Sequence, residues 1–150
     1  MWRLRVAAIA VILSCASSAE TETKGQDVPA LLDAAVTAPN RDTQQASFQR
    51  IEDLGCAAVL ELVEHVDDRR PLPYASISLW NNFPEAFEDS RHYAPKVVGE
   101  AVAALLTQMT GQNFGAVYNG ATPQELMDEA RQWREYARTT AAGELCLSRY

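Results

Sequence analysis

The chain is short of the residues that most catalysis needs. It has only two histidines, His65 and His92, and three cysteines, Cys15, Cys56 and Cys146. No H-E-x-x-H and no paired-cysteine motif is present, so no local pattern supplies the protein ligands of a catalytic zinc. Glu61 and His65 are spaced to share a helix face, but a histidine at a helix end beside Asp67 accounts for them. There is no G-x-S-x-G turn to expose a serine nucleophile, and no glycine-rich phosphate loop. Glu85, Glu88 and Asp89 fit the acidity of a helix start better than a glycosidase carboxylate pair. Asp42, Asp67 and Asp68 do not follow a calcium-loop pattern. The expectation is a protein that is not an enzyme and has no cofactor or metal.

Basic residues are also scarce. Thirteen Lys and Arg stand against twenty Asp and Glu, a net charge of −7. Phosphates would be repelled, so a nucleic-acid partner is not expected; a basic partner or plain solubility suits the charge better. Seven Gly and seven Pro are too few for a fibrous or disordered chain. Long apolar runs are missing as well. The run from Val6 to Leu13 has eight residues, too short to cross a bilayer core of ~30 Å as a helix.

What is present begins with that run. "MWRLRVAAIAVILSCASSA" places Arg3 and Arg5 before the apolar stretch and small residues after it, the three-part layout of a secretory signal. Residues 1–19 are therefore expected to be removed, residues 20–26 to form a polar leader, and residues 27–150 to form one domain. Two processing routes are open. Ser17-Ser18-Ala19 offers ordinary cleavage before Glu20, and "ILSC" resembles a lipoprotein box that would make Cys15 a lipidation site, with Leu13 departing from the usual small residue. Either route removes two arginines and no acidic residue, leaving eleven basic residues and a net charge of −9. The expected location is the periplasm, free or lipid-anchored, with the anchor as the only membrane contact. Cys56 and Cys146 then remain in an oxidising compartment and are expected to form a disulfide.

The remainder has helical periodicity. Pro29 falls in the first turn of a helix carrying Val28, Leu31, Leu32 and Ala35. Asn40 or Asp42 can cap a second helix lined by Phe48, Ile51 and Leu54. Gly55 stops it, and a third helix is expected over 56–66. Residues 67–93 form an irregular insert: "DDRRPLPYA" is a loop, "SISLW" a short extended piece, and "FPEAFED" a single helical turn opening at Pro84. "HYAPKVVGEAVAALLTQMTG" restarts the helical period with Pro95 at its start and Gly111 as its stop. Phe114 and Tyr118 anchor a turn-rich segment. "TPQE" is a capping box in which Thr122 and Glu125 answer one another, opening a last helix with Leu126, Ala130, Trp133 and Ala137.

"SFQRIEDLGCAAVLELVEHVDD" resembles a HEAT-like repeat. Ile51, Leu54 and Gly55 sit where that pattern ends its first helix; Ala58-Val59, Leu62-Val63, Val66 and Asp67 follow its second, with Leu60 in place of the usual proline. "AVAALLTQMTGQNFG" resembles the Thr-Gly…Phe-Gly turn of exported bacterial HEAT-like proteins, with Trp133 as the tryptophan of the helix that follows. The two glycines, Gly55 and Gly111, are 56 residues apart, more than a repeat period of about 40–47, and the insert supplies the excess. The resemblance implies an all-α fold of antiparallel helix pairs, 42–54 against 56–66, in one compact domain with an irregular insert. It also implies protein binding. The insert concentrates Arg69, Arg70, Tyr74, Trp80, Phe83, Phe87 and Arg91, the residue types of interface hot spots, and is the expected contact surface for another envelope protein. Two alternatives are a periplasmic immunity protein that neutralises a toxin, and a cell-wall hydrolase that gathers His65 or His92 with Glu85 or Glu88.

Overall fold

A computed structural model describes residues 27–115 and 120–147. The expected signal, the leader, Cys15 and Tyr118 lie outside the described residues. The elements run α1 (Val28–Val36), α2 (Arg41–Asp53), a 3-10 turn (Gly55–Ala58), α3 (Val59–Glu64), β1 (Ile77–Trp80), β2 (Ser90–Tyr93), α4 (Val98–Thr110), α5 (Pro123–Thr139) and a second 3-10 turn (Ala142–Glu144).

Three helix ends have a clear local cause. Asn40 Oδ1 accepts the Thr43 N–H and caps α2. Thr122 and Glu125 form the reciprocal capping box of α5, with Pro123 in its first turn. Gly111 ends α4 in the left-handed region at φ 72°, which glycine adopts without a Cβ clash.

The all-α expectation is overturned. The insert folds into an antiparallel hairpin in which Ile77 faces Tyr93, Ser78 faces His92, Leu79 faces Arg91 and Trp80 faces Ser90. Ile77 and Leu79 are buried and Ser78 and Trp80 are not, the period of two that a half-buried strand requires. "SISLW" is thus a strand, and "HY", expected at the restart of the helix, closes the second strand; α4 begins only at Val98. The expected helical turn at Pro84 is part of the connection between the strands. The expected helix over 56–66 is divided, because Gly55 takes φ 60° and starts a 3-10 turn before α3.

Helix pairing also differs from the repeat expectation. The main neighbours of α2 are α1 and β1, while α3 packs on α4 and α5. Ile51, Ala58, Leu62 and Val66 are all buried, but not as one α2–α3 seam. At the centre stands α4, buried along its whole length from Val98 to Thr110. A helix enclosed on every side cannot keep a narrow apolar stripe, which is why "AVAALL" has no polar interruption.

Two close contacts fix the ends of the core. The disulfide Cys56–Cys146 brings the C-terminal segment back onto the turn before α3, across 90 residues of sequence. Beside it, Leu147 N–H donates to the Met109 carbonyl. At the other end of α4, Gly99 N–H donates to the Asp68 carbonyl at 2.8 Å. A Cβ on Gly99 would stand 2.5 Å from the Val66 carbonyl oxygen, so only glycine allows this approach.

Two outcomes follow. Reduction of the disulfide, or joint Cys56→Ala and Cys146→Ala substitution, lowers unfolding free energy by about 2–4 kcal/mol in urea titration; no change would mean that the cross-link constrains nothing. Gly99→Ala costs about 1–3 kcal/mol by the same measurement, because backbone and not a flexible side chain must move; a neutral result would show that α4 can shift freely.

Candidate protein-binding site

Among the described residues the strand main chain is held by side chains along the edge of β1. Ser78 turns both main-chain groups toward α2: its N–H donates to Gln45 Oε1 at 2.8 Å, and its carbonyl accepts from Gln45 Nε2 at 2.6 Å. Gln44 does the same for Tyr74, at 3.1 and 2.7 Å. The Trp80 N–H donates to Glu52 Oε1 at 2.9 Å. Polar side chains of one helix face therefore take the place of a third strand along β1, meeting main-chain groups that burial would otherwise leave unpaired. Below the sheet, Gln108 of α4 accepts the Asn82 N–H at 3.0 Å and donates to the Tyr93 hydroxyl at 2.6 Å.

The expected contact residues separate into two groups. Arg70 is committed to the fold. Its guanidinium pairs with Asp33 of α1 and with Asp68, and its carbonyl accepts the Val98 N–H. Those carboxylates push the Arg70 pKa upward, hydrogen bonds to Asp68 first. Burial would raise Asp68, but hydrogen bonds and charge from Arg70 outweigh it and hold Asp68 below the usual range. Tyr74 is half-buried, with its hydroxyl on the Pro39 carbonyl at 2.9 Å. Phe83 is half-buried. Arg69, Trp80, Phe87 and Arg91 are exposed. Trp80 keeps 54% of its surface in solvent and Phe87 all of it. Arg91 lies 5.7 Å from the Tyr93 ring centre.

Trp80 also borders a groove of about 420 Å³ across the outer face of the hairpin, lined on the α2 side by Arg41, Asp42, Gln45 and Gln49 and on the sheet side by Ser78, Leu79 and Ser90. A second depression of about 510 Å³ lies along α5, between Phe114, Gln132 and Tyr136. There Phe114 meets the buried Trp133 edge-to-face at 4.7 Å. The hydrolase arrangement is not assembled: Glu85 and Glu88 are exposed, with no hydrogen bond to either histidine, and His92 Nδ1 instead meets Ser78 Oγ. Among the described residues no group of three or more His, Cys, Asp or Glu comes together as a metal site.

Sequence reasoning missed Gln44, Gln45, Glu52 and Gln108. Their signal was available as polar residues on helix faces that also carry core residues, but which main-chain groups they would meet depends on the hairpin. Glu52 is 3% exposed, and its Oε2 is buried without a hydrogen-bond partner. Burial pushes its pKa up to about 7, against the Trp80 hydrogen bond and with the charge of Asp53 adding to the rise. Glu129, buried beside Trp133, is raised to about 7 mainly by burial as well.

A raised folded-state pKa means that the folded protein holds a proton the unfolded chain releases. The resulting stability is complete below the ordinary value of 4.5 and is lost as pH rises through about 7. Urea midpoints are thus higher at pH 5 than at pH 8, and Glu52→Gln, which keeps the acceptor for Trp80, removes about 1–2 kcal/mol of that difference. An unchanged pH profile in the variant would show that folding does not raise the Glu52 carboxyl.

Compared with known proteins, the chain matches no family model, no curated protein and no solved structure.

Proposed function

We propose that this is an exported, non-enzymatic protein of the bacterial envelope that binds another protein through its hairpin. The observation that carries this reading is the exposure of Trp80 and Phe87 on a hairpin braced from behind by α2 and α4. Large aromatics in water on a rigid support are what interface anchors look like before the partner arrives, since little ordering remains to be done on binding. Arg69 and Arg91 stand exposed on the same insert and add charge to that surface. Export is supported by the order of charge, apolar run and small residues at the N-terminus. The Cys56–Cys146 disulfide suits an oxidising compartment.

The test is capture from envelope extract with the exported protein as bait. Phe87→Ser removes a fully exposed ring, so stability stays within about 0.5 kcal/mol; Trp80→Ala removes a half-buried ring and costs about 1–2 kcal/mol, so the joint variant stays folded while the captured protein is lost. Arg69→Ala weakens capture without unfolding. Arg70→Ala is not a fair probe of binding, because it breaks the Asp33 and Asp68 pairs. Undiminished capture by the aromatic double variant would remove the hairpin from the interface.

A further inference from the structure

The two edges of the hairpin are treated differently. The edge of β1 is occupied by Gln45 and Glu52. Because Ser78 and Trp80 turn their N–H groups toward α2, the bonds between the strands fall at Ile77–Tyr93 and Leu79–Arg91, and the next is the Asn81 N–H to the Asp89 carbonyl at 3.0 Å. Alternation then fixes the direction of β2. Arg91 and Tyr93 direct their main-chain groups at β1, and Ser90 and His92 direct theirs the other way. Among the described residues no main-chain or side-chain group bonds to the N–H or carbonyl of Ser90 or His92. The principal neighbour of β2 among the helices and strands is β1, and both Arg91 and His92 are exposed.

We propose that the outer edge of β2 takes an extended basic peptide segment of the partner as a third strand. This deepens the hairpin reading above and rests on it. Open strand edges attract pairing, and proteins commonly blunt them with proline, charged side chains, short length or a covering loop; Ser90-Arg91-His92-Tyr93 is short but has no proline, and its one full charge, Arg91, stands on the Tyr93 face, 5.7 Å from that ring, away from the face of Ser90 and Trp80. An added strand would receive two N–H donors and two carbonyl acceptors from Ser90 and His92, in the spacing of a regular ladder. Charge selects the occupant. The connection leading into β2 exposes Glu85, Glu88 and Asp89, so the end of the incoming strand beside it meets three carboxylates. The whole chain is acidic in the same sense, at −7. On the outer face, Ser90 is small and stands opposite Trp80, leaving the indole open to a side chain of the added strand.

The probe is a synthetic peptide alternating lysine with valine, compared with one alternating glutamate with valine, each added to the full chain. Amide hydrogen exchange read by NMR should slow at Ser90 and His92 with the basic peptide. Arg91 and Tyr93, already bonded to β1, should change little. Ser90→Pro removes an outward N–H that β1 does not use, so the hairpin persists and affinity for the basic peptide falls about tenfold. Ser90→Ala leaves affinity unchanged. Binding without protection at Ser90 and His92 overturns the proposal, as does equal binding of the acidic peptide or no binding of either. Protection that appears without peptide and grows with protein concentration also overturns it, in favour of a second copy of the chain. Should Ser90→Pro not fold, the protection pattern of the unsubstituted protein decides. An envelope protein still captured by Ser90→Pro but lost on Trp80→Ala with Phe87→Ser leaves the hairpin as the interface and removes strand addition alone.

Discussion

The side-chain ladder between α2 and β1 is the interaction on which the rest of the structure depends. A two-stranded hairpin is marginal in water, and one with four residues per strand has few bonds of its own. Here Gln44 and Gln45 each clasp both main-chain groups of one residue, and Glu52 takes the N–H of Trp80 two residues beyond Ser78. The spacing suits a helix laid beside a strand: adjacent glutamines reach residues 74 and 78, while a position two turns further along α2 reaches 80. Without this ladder, Ile77 and Leu79 would have no means of staying buried against the core, because the N–H and carbonyl groups between them would be stranded away from water.

The same device recurs on α4. Gln108 holds Asn82 and Tyr93, and Glu100 accepts three backbone N–H groups, from Lys96, Gly120 and Ala121. The central helix therefore does two things at once. Its alanines and leucines fill the interior, and its two longest polar side chains fix the segments on either side. Glu52 and Glu129 are each met by a single donor, from Trp80 and Trp133, and there burial dominates and raises the pKa to about 7.

Features decided by a few adjacent residues were legible in the sequence. The Thr122–Glu125 capping box, the Gly111 stop, the Asn40 cap and the buried stripe of α1 need no tertiary information, and all are present. The Cys56–Cys146 pair was legible by elimination. The hairpin was only half legible. β1 alternates, but β2 is Ser-Arg-His-Tyr, with one buried residue of four, and it runs into a helical pattern that masks its end. The polar residues of α2 that make the sheet viable read, in one dimension, as the exposed face of an ordinary amphipathic helix. That is also why a helix-pair repeat looked sufficient: Phe48, Ile51 and Leu62 belong to the core under either arrangement, and nothing local distinguishes α1 and β1 from α3 as the partner of α2. Of the expected contact residues, Arg70 and Tyr74 also bond within the fold, and this was not legible because their partners, Asp33 and Pro39, lie more than thirty positions away.

One-sided bracing has a consequence for what the hairpin can present. A strand pair supported on both edges would be inert, and one supported on neither would be too mobile to hold a partner in register. With β1 pinned to α2 and the connection pinned through Asn82 to α4, the degrees of freedom left lie in the side chains of Trp80 and Phe87 and in the solvation of the outer main chain of β2. These are the terms that a binding partner can exchange for contacts at little ordering cost. Core residues of α4 and α3 set where the hairpin stands; the polar residues of α2 set which of its edges is closed. Which edge of the hairpin stays open thus follows from three polar side chains, Gln44, Gln45 and Glu52, on a helix that bonds only to the side of β1.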